Sequence, residues 1–545
     1  MTEHTHSLPF ACHPVIGRRT VIAGLLASTL SGGATAAGNT HLIVETALGH
    51  VRGSREQGVS LFAGIPYAAS TAGPNRFLPP QPAAPWHGLR DCQTFGNSAP
   101  QLPNAAPERA AFAQLETISE DCLSLNIYTP AASSTARLPV MVWLHGGAWR
   151  VGAGSAPGLR GIRLAREGDV VLVTINHRLD VMGFLQIDDG DPRFADAGNT
   201  GLLDMIAALR WVRDSIANFG GDENNVTIFG QSGGAAKVAT LLAAPAAKGL
   251  FHKAIAMSGS GCLRVSGPDE AAMLAHGVAK RLNLSRLSGT ALQAMPLSQI
   301  VAASAGRHRP VIDSRTLHRH PFDPDAPGTA KHVPLMIGNV VDETRIVIAA
   351  ASPANFDLSQ DDVIARMSRF FQLPHDNTAL IYQAYQKSYP GDRPGDLMAA
   401  ITSDYSYVRN TRYMADLQSK QADVFSYMFM RRTPVLGGLL RSPHECDVPF
   451  VFGTTRAAVG MVGSAPDIEP LTRIMIRTWS SFARNGNPKN ALIPEWRAHE
   501  AGDLASMMLD RVSHYGAIPG PMARQTLNML PPYDYGMPAS YTRGS

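Results

Sequence analysis

The stretch of residues 219–234, F-G-G-D-E-N-N-V-T-I-F-G-Q-S-G-G, constrains the fold of this chain more than any other feature. Residues 226–229 are β-branched or aromatic, which predicts a buried strand. The glycine-rich residues 230–234 then predict a sharp turn, and residues 235–244 predict a helix. A strand, a G-x-S-x-G turn and a helix in this order place Ser232 at an exposed and strained corner of the backbone.

Such a corner suits a nucleophilic serine. Flanking glycines let the neighbouring backbone pass without a clash with a Cβ atom, and N–H groups at the start of a helix favour developing negative charge. Ser232 is the one serine of the chain with glycine two residues before it and two residues after it. The alternative is a glycine-rich turn holding an ordinary serine, but the strand and helix signals on either side of Ser232 argue against it.

Alternating strand and helix signals predict an α/β fold. The chain has 545 residues, of which 45% are hydrophobic and 17% charged, as is ordinary for a globular enzyme. A helix predicted at residues 202–218 has apolar side chains on one face. We expect a large, mainly parallel central sheet with helices on both faces. Further strands are predicted at residues 123–128, 139–145, 170–176, 253–257, 335–340 and 424–430.

The remaining organisation is that of one catalytic unit. We find no repeat and no clear linker, so residues 38–545 are predicted to form a single domain. Helical patterns interrupt the strand signals around residues 262–331 and 352–422, and such insertions usually build a cap over the site. The net charge is +4 without a block of Lys or Arg, so nucleic acid and anionic membranes are not expected partners.

Residues 1–37 predict a leader peptide that is removed. Arg18 and Arg19 precede a short apolar run at residues 21–30, and small residues follow as far as Ala37. Paired arginines before a weakly apolar core are typical of the twin-arginine export route. The apolar run has about half the length that a membrane span needs. We therefore expect an exported protein, periplasmic or secreted, with no integral membrane segment after leader removal.

A nucleophilic serine needs a histidine base that is oriented by a carboxylate. When a G-x-S-x-G turn of this kind precedes a helix in such a sheet, the acid follows the serine in the chain and the histidine comes last. The strand predicted at residues 335–340 leads to Asp342 and Glu343, and the residues themselves do not choose between these carboxylates. Among the ten histidines after Ser232, His444 lies in a loop between apolar segments, which suits a positioned base.

Stabilisation of an oxyanion needs backbone donors near the serine. The strand predicted at residues 139–145 runs into a turn of small residues, where N–H groups can approach a ligand. The residue after the nucleophile would supply another donor. These candidate positions are Gly146, Gly147, Ala148 and, after the serine, Gly233.

Cysteine and histidine spacing gives no support for a metal site. Beyond the leader the chain has no C-x-x-C pair and no Cys/His ligand spacing, so we expect neither a metal nor a cofactor. An oxidising compartment would permit disulfides. The sequence settles neither the pairing nor the oligomeric state. The four cysteines concerned are Cys92, Cys122, Cys262 and Cys446.

Taken together, these residues resemble the type-B carboxylesterase family, which also contains the cholinesterases and the bacterial p-nitrobenzyl esterases. The resemblance covers about residues 41–500. Its two most specific marks are residues 219–234 and the run E-D-C-L-S-L-N-I-Y at residues 120–128. Shorter matches are G-I-P-Y-A at residues 64–68, H-G-G-A at residues 145–148 and N-H-R-L at residues 176–179.

The resemblance implies an α/β-hydrolase fold and a serine carboxylesterase that hydrolyses small-molecule esters through an acyl-enzyme intermediate. It places the acid on the second residue of the D-E pair, which favours Glu343 over Asp342. It also implies a salt bridge between Arg76 and Glu120, and a buried serine, Ser258, near the acid. The implied catalytic residues are Ser232, Glu343 and His444, with the N–H groups of Gly147, Ala148 and Gly233 as oxyanion donors.

Some features depart from the family or stay open. The family's C-P-Q run reads A-P-Q at residues 99–101, so Cys122 either pairs with Cys92 or is free. Trp149 and Phe450 are candidates for the wall of the substrate pocket. Residues 101–121 contain no tryptophan, which argues against a cholinesterase. Carbamate or amide hydrolysis and lipase action would use the same triad, whereas an intact triad argues against a non-catalytic binding module.

Overall fold

The computed structural model describes residues 42–102, 110–304 and 306–535, and the predicted leader lies outside these residues. Short runs of apolar and β-branched residues form the strands of two sheets. The strands are β1 Ile43–Thr46, β2 Gly49–Arg52, β3 Ser54–Glu56, β4 Val59–Pro66, β5 Leu89–Asp91, β6 Ser124–Thr129, β7 Leu138–Leu144, β8 Val171–Ile175, β9 Gly221–Gln231, β10 Lys253–Met257, β11 Leu335–Val340, β12 Val424–Phe429, β13 Ala505–Leu509 and β14 His514–Ala517.

The larger sheet has eleven strands in the order β14-β13-β12-β11-β10-β9-β7-β8-β6-β4-β3. The seven strands from β13 to β8 run parallel, and the pairs at both ends of the sheet are antiparallel. A smaller sheet joins β1, β2 and β5. The predicted large, mainly parallel sheet is therefore confirmed. Because β7, β9, β10, β11 and β12 are neighbours, their carboxyl ends lie side by side.

Helices cover both faces of this sheet, as predicted. They are α1 Ala110–Ala113, α2 Ile162–Gly168, α3 Asp180–Phe184, α4 Thr200–Ser215, α5 Gly233–Ala243, α6 Pro268–Arg281, α7 Gly289–Ala294, α8 Leu297–Ala302, α9 Arg345–Ala351, α10 Gln360–Phe371, α11 His375–Ser388, α12 Pro394–Ser403, α13 Arg409–Gln418, α14 Val448–Phe452, α15 Val459–Val462, α16 Ile468–Asn485 and α17 Pro521–Gln525.

The two faces of the sheet bury separate apolar cores. On β7, Val140 and Val142 face a core formed with α4 and α5, whereas Met141 and Trp143 face a core formed with α2, α14 and α16. This alternation follows from the two-residue period of a strand. A parallel strand buried on both faces can be apolar at every position, and all seven residues of β7 are buried.

Helices α6, α7 and α8 occupy less than half of residues 262–331, the first stretch predicted as a cap insertion. Helices α10 to α13 occupy most of the second stretch, residues 352–422. Helices α6, α7 and α8 contribute to one apolar cluster and α10, α11 and α12 to another, whereas α13 packs on the core of the sheet. Between α12 and α13 the backbone forms a π-helical turn at Asp404–Val408. Such turns are rare and recur at functional sites.

Strands β13 and β14 extend the sheet beyond the strands that the sequence predicts. Strand β13 is rich in methionine, which is not a typical strand former, and β14 is a polar edge strand. Their pairing with β12 depends on contacts across the sheet rather than on local pattern. Within the described residues, no helix has the length and apolar character that a membrane span requires.

Candidate active site

Ser232 stands at the sharp turn between β9 and α5. Its backbone has φ 58° and ψ −119°, a region that non-glycine residues rarely occupy. The Ser232 N–H donates to the carbonyl oxygen of Met257 at 2.8 Å, which ties the turn to the neighbouring strand β10. A Cβ atom on Gly234 would lie 2.0 Å from the carbonyl oxygen of Leu144, so only glycine fits there. The turn predicted from residues 230–234 is thus held by packing against β7 and β10.

Glu343 and His444 form a buried pair at the ends of β11 and β12. The Glu343 side chain is fully buried, and its Oε1 accepts from the Asn339 amide at 3.0 Å and from the Val340 N–H at 3.2 Å. Its Oε2 accepts from His444 Nδ1 at 2.5 Å. Because Nδ1 carries the proton in this bond, Nε2 is the unprotonated nitrogen of the neutral ring and can act as a base.

Asp342, the other candidate acid, makes different contacts. Its carboxylate accepts from the N–H of Ser442 at 3.2 Å. Burial raises the pKa of the Asp342 carboxyl group above its ordinary value. Of the two adjacent carboxylates, Glu343 alone is hydrogen bonded to His444 among the described residues.

Ser232 and His444 line one cavity of about 440 Å³. No hydrogen bond joins their side chains in the described structure. Instead, the side-chain amide nitrogen of Gln231 lies 3.2 Å from His444 Nε2 and 3.4 Å from Nδ1. The Tyr407 ring, which belongs to the π-helical turn, packs with its centroid 4.9 Å from that of His444. Catalytic hydrogen bonds are often loose before substrate binds, so this arrangement is compatible with a serine–histidine pair.

The candidate oxyanion donors line the same cavity. Gly147 and Ala148 both have positive φ, at 86° and 58°, and Gly233 packs directly against the Ala148 backbone. Within the described residues, the N–H groups of Gly147, Ala148 and Gly233 have no hydrogen-bond acceptor. Three unpaired donors beside a strained serine can stabilise an oxygen that gains negative charge.

A buried lysine connects the oxyanion turn to the nucleophile helix. Lys237 lies on α5 with no exposed surface, and its Nζ donates to the carbonyl oxygen of His145 at 2.8 Å. Its Nζ is also 5.8 Å from the ring centroid of Trp149. Burial lowers the pKa of Lys237 well below its ordinary value. The His145 ring stacks on that of His177, and burial, followed by the charge of Lys237, lowers the pKa of both histidines.

Lys237 is not among the residues predicted from the sequence, although a signal for its burial is present. Helix α5 is apolar around its whole circumference, which predicts a helix that is buried on all sides. Its one charged residue must then be buried as well.

A second carboxylate lies near the Glu343–His444 pair. Asp447 is fully buried and accepts from the Tyr427 hydroxyl at 3.2 Å. Burial, and then the charge of Glu343, raises the pKa of Asp447 to about 7. This carboxyl group therefore titrates close to neutral pH beside the candidate base.

The two candidate pocket residues are placed differently. Trp149 lines the cavity and packs edge-on against Phe184. Phe450 is fully buried in the core, where its ring contacts Phe429 and lies beneath the Arg431 guanidinium, and it is not among the residues that line the cavity. An aromatic residue in a buried helix cannot be assigned to core or pocket from sequence, because the choice depends on which way the helix faces.

Structural contacts implied by the family resemblance are also present. Arg76 and Glu120 form a bidentate salt bridge with both distances at 2.7 Å, which confirms that expectation. Ser258 follows β10 and is fully buried.

The four cysteines of the described chain are all free thiols. Within the described residues, no group of three or more His, Cys, Asp or Glu side chains could hold a metal ion.

Known proteins that are similar to this chain are esterases and related hydrolases. The model of the carboxylesterase family matches residues 40–516. The chain is 33% identical over 485 residues to the para-nitrobenzyl esterase of Bacillus subtilis (strain 168), covering 86% of this chain and 95% of that protein. It is 31% identical to the phenmedipham hydrolase of Pseudarthrobacter oxydans, covering 86% and 95% of the two chains.

A solved carboxylesterase of Geobacillus stearothermophilus superposes with a TM-score of 0.78 at 35% identity, over 89% of this chain and 99% of the other. The match of sequence and fold over most of both chains confirms the expected α/β-hydrolase architecture. The chain belongs to the carboxylesterase family and is a carboxylic ester hydrolase.

Proposed function

We propose that Ser232, His444 and Glu343 are the catalytic triad with which this hydrolase cleaves esters. The observation that carries the proposal is the position of His444. Its Nδ1 is bonded to the buried Glu343, and its ring lines the cavity that contains Ser232. This is the orientation in which a carboxylate holds the imidazole with Nε2 ready to accept a proton.

The reaction would proceed by acyl transfer. Ser232 Oγ attacks the ester carbonyl while His444 Nε2 accepts the hydroxyl proton, and Glu343 stabilises the imidazolium that forms. The carbonyl oxygen becomes negatively charged and accepts from the N–H groups of Gly147, Ala148 and Gly233. The alcohol leaves with the proton held by His444. Water, deprotonated by the same imidazole, then releases the acid and restores Ser232.

Replacement of the nucleophile tests this assignment. We expect Ser232→Ala to lower kcat on p-nitrophenyl butyrate by about 10⁴-fold or more, with the folded structure retained. Circular dichroism and urea unfolding would check the fold. Turnover within tenfold of the wild-type value would refute the role of Ser232.

Covalent labelling provides a direct readout of the same residue. An organophosphate should modify the peptide that contains Ser232, as peptide mass spectrometry can detect. Ser260 lines the same cavity and offers a matched control. The variant Ser260→Ala should still be labelled on Ser232, and Ser232→Ala should not be labelled in this cavity.

The cavity and the relatives together favour small esters. The cavity of about 440 Å³ suits a small-molecule ligand, and the relatives include a para-nitrobenzyl esterase. Matched ester and amide substrates separate ester hydrolysis from amide or carbamate hydrolysis, since only the leaving group changes. A lipase would be distinguished by a rise in rate at an oil–water interface.

We also propose that the leader directs the enzyme across a membrane by the twin-arginine route. The support is the pair Arg18 and Arg19 before a short apolar run and an A-x-A-type site. Replacing both arginines with lysine should retain the precursor in the cytoplasm. N-terminal sequencing of exported protein should begin close to residue 38.

A further inference from the structure

The wall of the active-site cavity carries positive charge. Among the described residues that line it, Arg150, Arg264 and Arg309 are cationic and none bears a carboxylate. A neutral ester offers these groups no charged partner. The state of each guanidinium therefore indicates whether the cavity is built for an anion.

Arg309 is fully engaged within the protein. Its side chain is only 2% exposed, and it donates to Glu270 at 2.9 and 3.1 Å, to Asp534 at 2.9 Å and to Ser266 at 3.2 Å. Two carboxylates balance its single charge. Arg309 thus donates to protein groups from all three of its nitrogens, and it shapes the wall of the cavity.

Arg150 is less engaged. It forms an ion pair with Asp180, but its Nε is buried without a hydrogen-bond partner among the described residues. The nearest carboxylate oxygen, Asp180 Oδ2, is 3.8 Å away and already accepts from the Ser304 hydroxyl at 2.7 Å. The Arg150 side chain is 42% exposed, and its exposed part faces the cavity that contains Ser232.

Arg264 is intermediate. Its Nε donates to Asp323 at 2.6 Å, while its Nη1 and Nη2 groups have no acceptor in the described structure. Its side chain is 41% exposed and lines the same cavity. Two guanidinium groups with unused donors therefore border the space in which the ester must sit.

We infer that the enzyme acts on esters that carry a free, ionised carboxylate in addition to the ester group, and that Arg150 binds this carboxylate with help from Arg264. The inference rests on the proposed function, because it places the ester at Ser232. A planar guanidinium with free N–H groups binds a carboxylate through two parallel hydrogen bonds. Arg150 is two residues from Ala148, a proposed oxyanion donor, so the carboxylate would lie a short distance from the ester carbonyl.

The test compares matched substrates that differ in charge. The anionic ester is mono-p-nitrophenyl glutarate, and its neutral partner is methyl p-nitrophenyl glutarate. We expect wild-type enzyme to prefer the anionic ester by about tenfold or more in kcat/KM, since a hydrogen bond to a charged group has that order of effect. Added salt should reduce the preference. A preference for the neutral ester would overturn the inference.

Variants locate the effect. In Arg150→Met the ratio of kcat/KM for the anionic ester to kcat/KM for the neutral ester should fall about tenfold or more, mainly through a higher KM for the anionic ester. Arg150→Lys should restore part of this ratio. Arg264→Met should lower the ratio less, and it serves as the second test if Arg150→Met does not fold. Arg213, paired with Asp214 on the surface, gives the control variant Arg213→Met, whose ratio should equal that of wild type. Equal losses on both esters in Arg150→Met would contradict the inference.

Two further measurements distinguish a failure of this inference from a failure of the proposed triad. Turnover of the neutral ester without a charge preference would leave the proposed triad standing and remove the charge-binding role of Arg150. If neither ester is hydrolysed, calorimetry on Ser232→Ala can still compare monomethyl glutarate with dimethyl glutarate. Tighter binding of the mono-anion supports the inference, and equal or weaker binding refutes it. To find a carboxylate on the alcohol side, the butyrate ester of 4-hydroxybenzoate would be compared with that of its methyl ester.

Discussion

Two kinds of buried polar cluster coexist in this molecule, and they differ in how completely their groups are paired. Away from the cavity, the buried pair of Arg178 and Asp204 is satisfied on every side. Arg178 donates to Asp204 from its backbone N–H at 3.0 Å, from Nε at 2.8 Å and from Nη2 at 2.6 Å, and its Nη1 donates to the Leu78 carbonyl at 2.7 Å. Such a cluster contributes structure and has no free group for chemistry.

Around Ser232 the pairing is incomplete. Among the described residues the N–H groups of the proposed oxyanion donors have no acceptor, and Arg150 Nε and the side-chain oxygen of Gln231 are buried without a hydrogen-bond partner. Unpaired buried groups cost stability, and they persist where a ligand or transition state supplies the missing partner. Unpaired buried groups also occur elsewhere in the described chain, such as Trp211 Nε1 and Trp496 Nε1, so the contrast is a hypothesis about which cluster serves folding and which serves catalysis. Mutations can test that division.

Among the variants that test this comparison, the largest expected effect follows from replacing Glu343, the proposed triad acid. We expect Glu343→Gln to lower kcat by about 10³–10⁴-fold, because an amide no longer favours the tautomer with a proton on His444 Nδ1. The free energy of unfolding should change far less than activity. The adjacent Asp342→Asn is the matched control and should lose less than about tenfold. Equal losses in both variants would contradict the assignment of Glu343. Steady-state kinetics on p-nitrophenyl butyrate provides the measurement.

The next effect concerns the satisfied pair, where stability rather than activity should fall. Asp204→Asn leaves the Arg178 charge buried without its partner, so the free energy of unfolding should fall by about 3–5 kcal/mol. Activity per folded molecule should stay close to wild type. Urea unfolding and active-site titration would measure the two quantities. The exposed pair Arg213–Asp214 offers the control Asp214→Asn, which should cost less than about 1 kcal/mol. A loss of kcat without a loss of stability in Asp204→Asn would break the comparison.

The smallest expected effect is a change in how the free energy of unfolding depends on pH. The pKa of Asp447 is about 7 in the folded protein, raised by burial and then by Glu343, whereas an unfolded aspartate titrates near pH ~3.9. Between these values the folded state binds more protons, so this group lowers the free energy of unfolding progressively as pH rises, up to about pH 7. The variant Asp447→Asn removes that dependence.

The measurement follows from the sign of this effect. Urea unfolding between about pH 4 and pH 8 should show the stability of Asp447→Asn increasing relative to wild type as pH rises. A relative stability that is constant or that falls with pH would mean that Asp447 does not hold its proton in the folded state. The Tyr427 hydroxyl can still donate to the asparagine oxygen, so this contact need not be lost.

Much of the central sheet can be predicted from the sequence. The predicted strands at residues 253–257 and 335–340 coincide with β10 and β11, because buried parallel strands are continuous apolar runs between turns. The chain order of serine, acid and histidine follows from neighbouring strands that end at one edge of the sheet. The choice of Glu343 over Asp342 required the family resemblance, since local pattern treats the two carboxylates alike.

Apart from Trp149, the residues of the cavity wall described here could not be predicted from the sequence. Arg150 and Arg264 are far apart in the chain and line one cavity only because the residues after β7 and β10 face the same space. The Tyr407 ring packs against the His444 ring from a π-helical turn, which no residue pattern in the sequence predicts. Phe450 lies in the core rather than at the wall. Each case depends on three-dimensional packing between distant segments.

The bond between Lys237 and the His145 carbonyl has a consequence for how this enzyme can change. It fastens the turn that carries two proposed oxyanion donors to the helix that begins just after Ser232, so attacking group and donors keep their spacing as one rigid body. Arg150 and Arg264 line the cavity but take no part in that bond. Substrate range can therefore be altered by laboratory evolution at these positions while the reaction centre keeps its geometry.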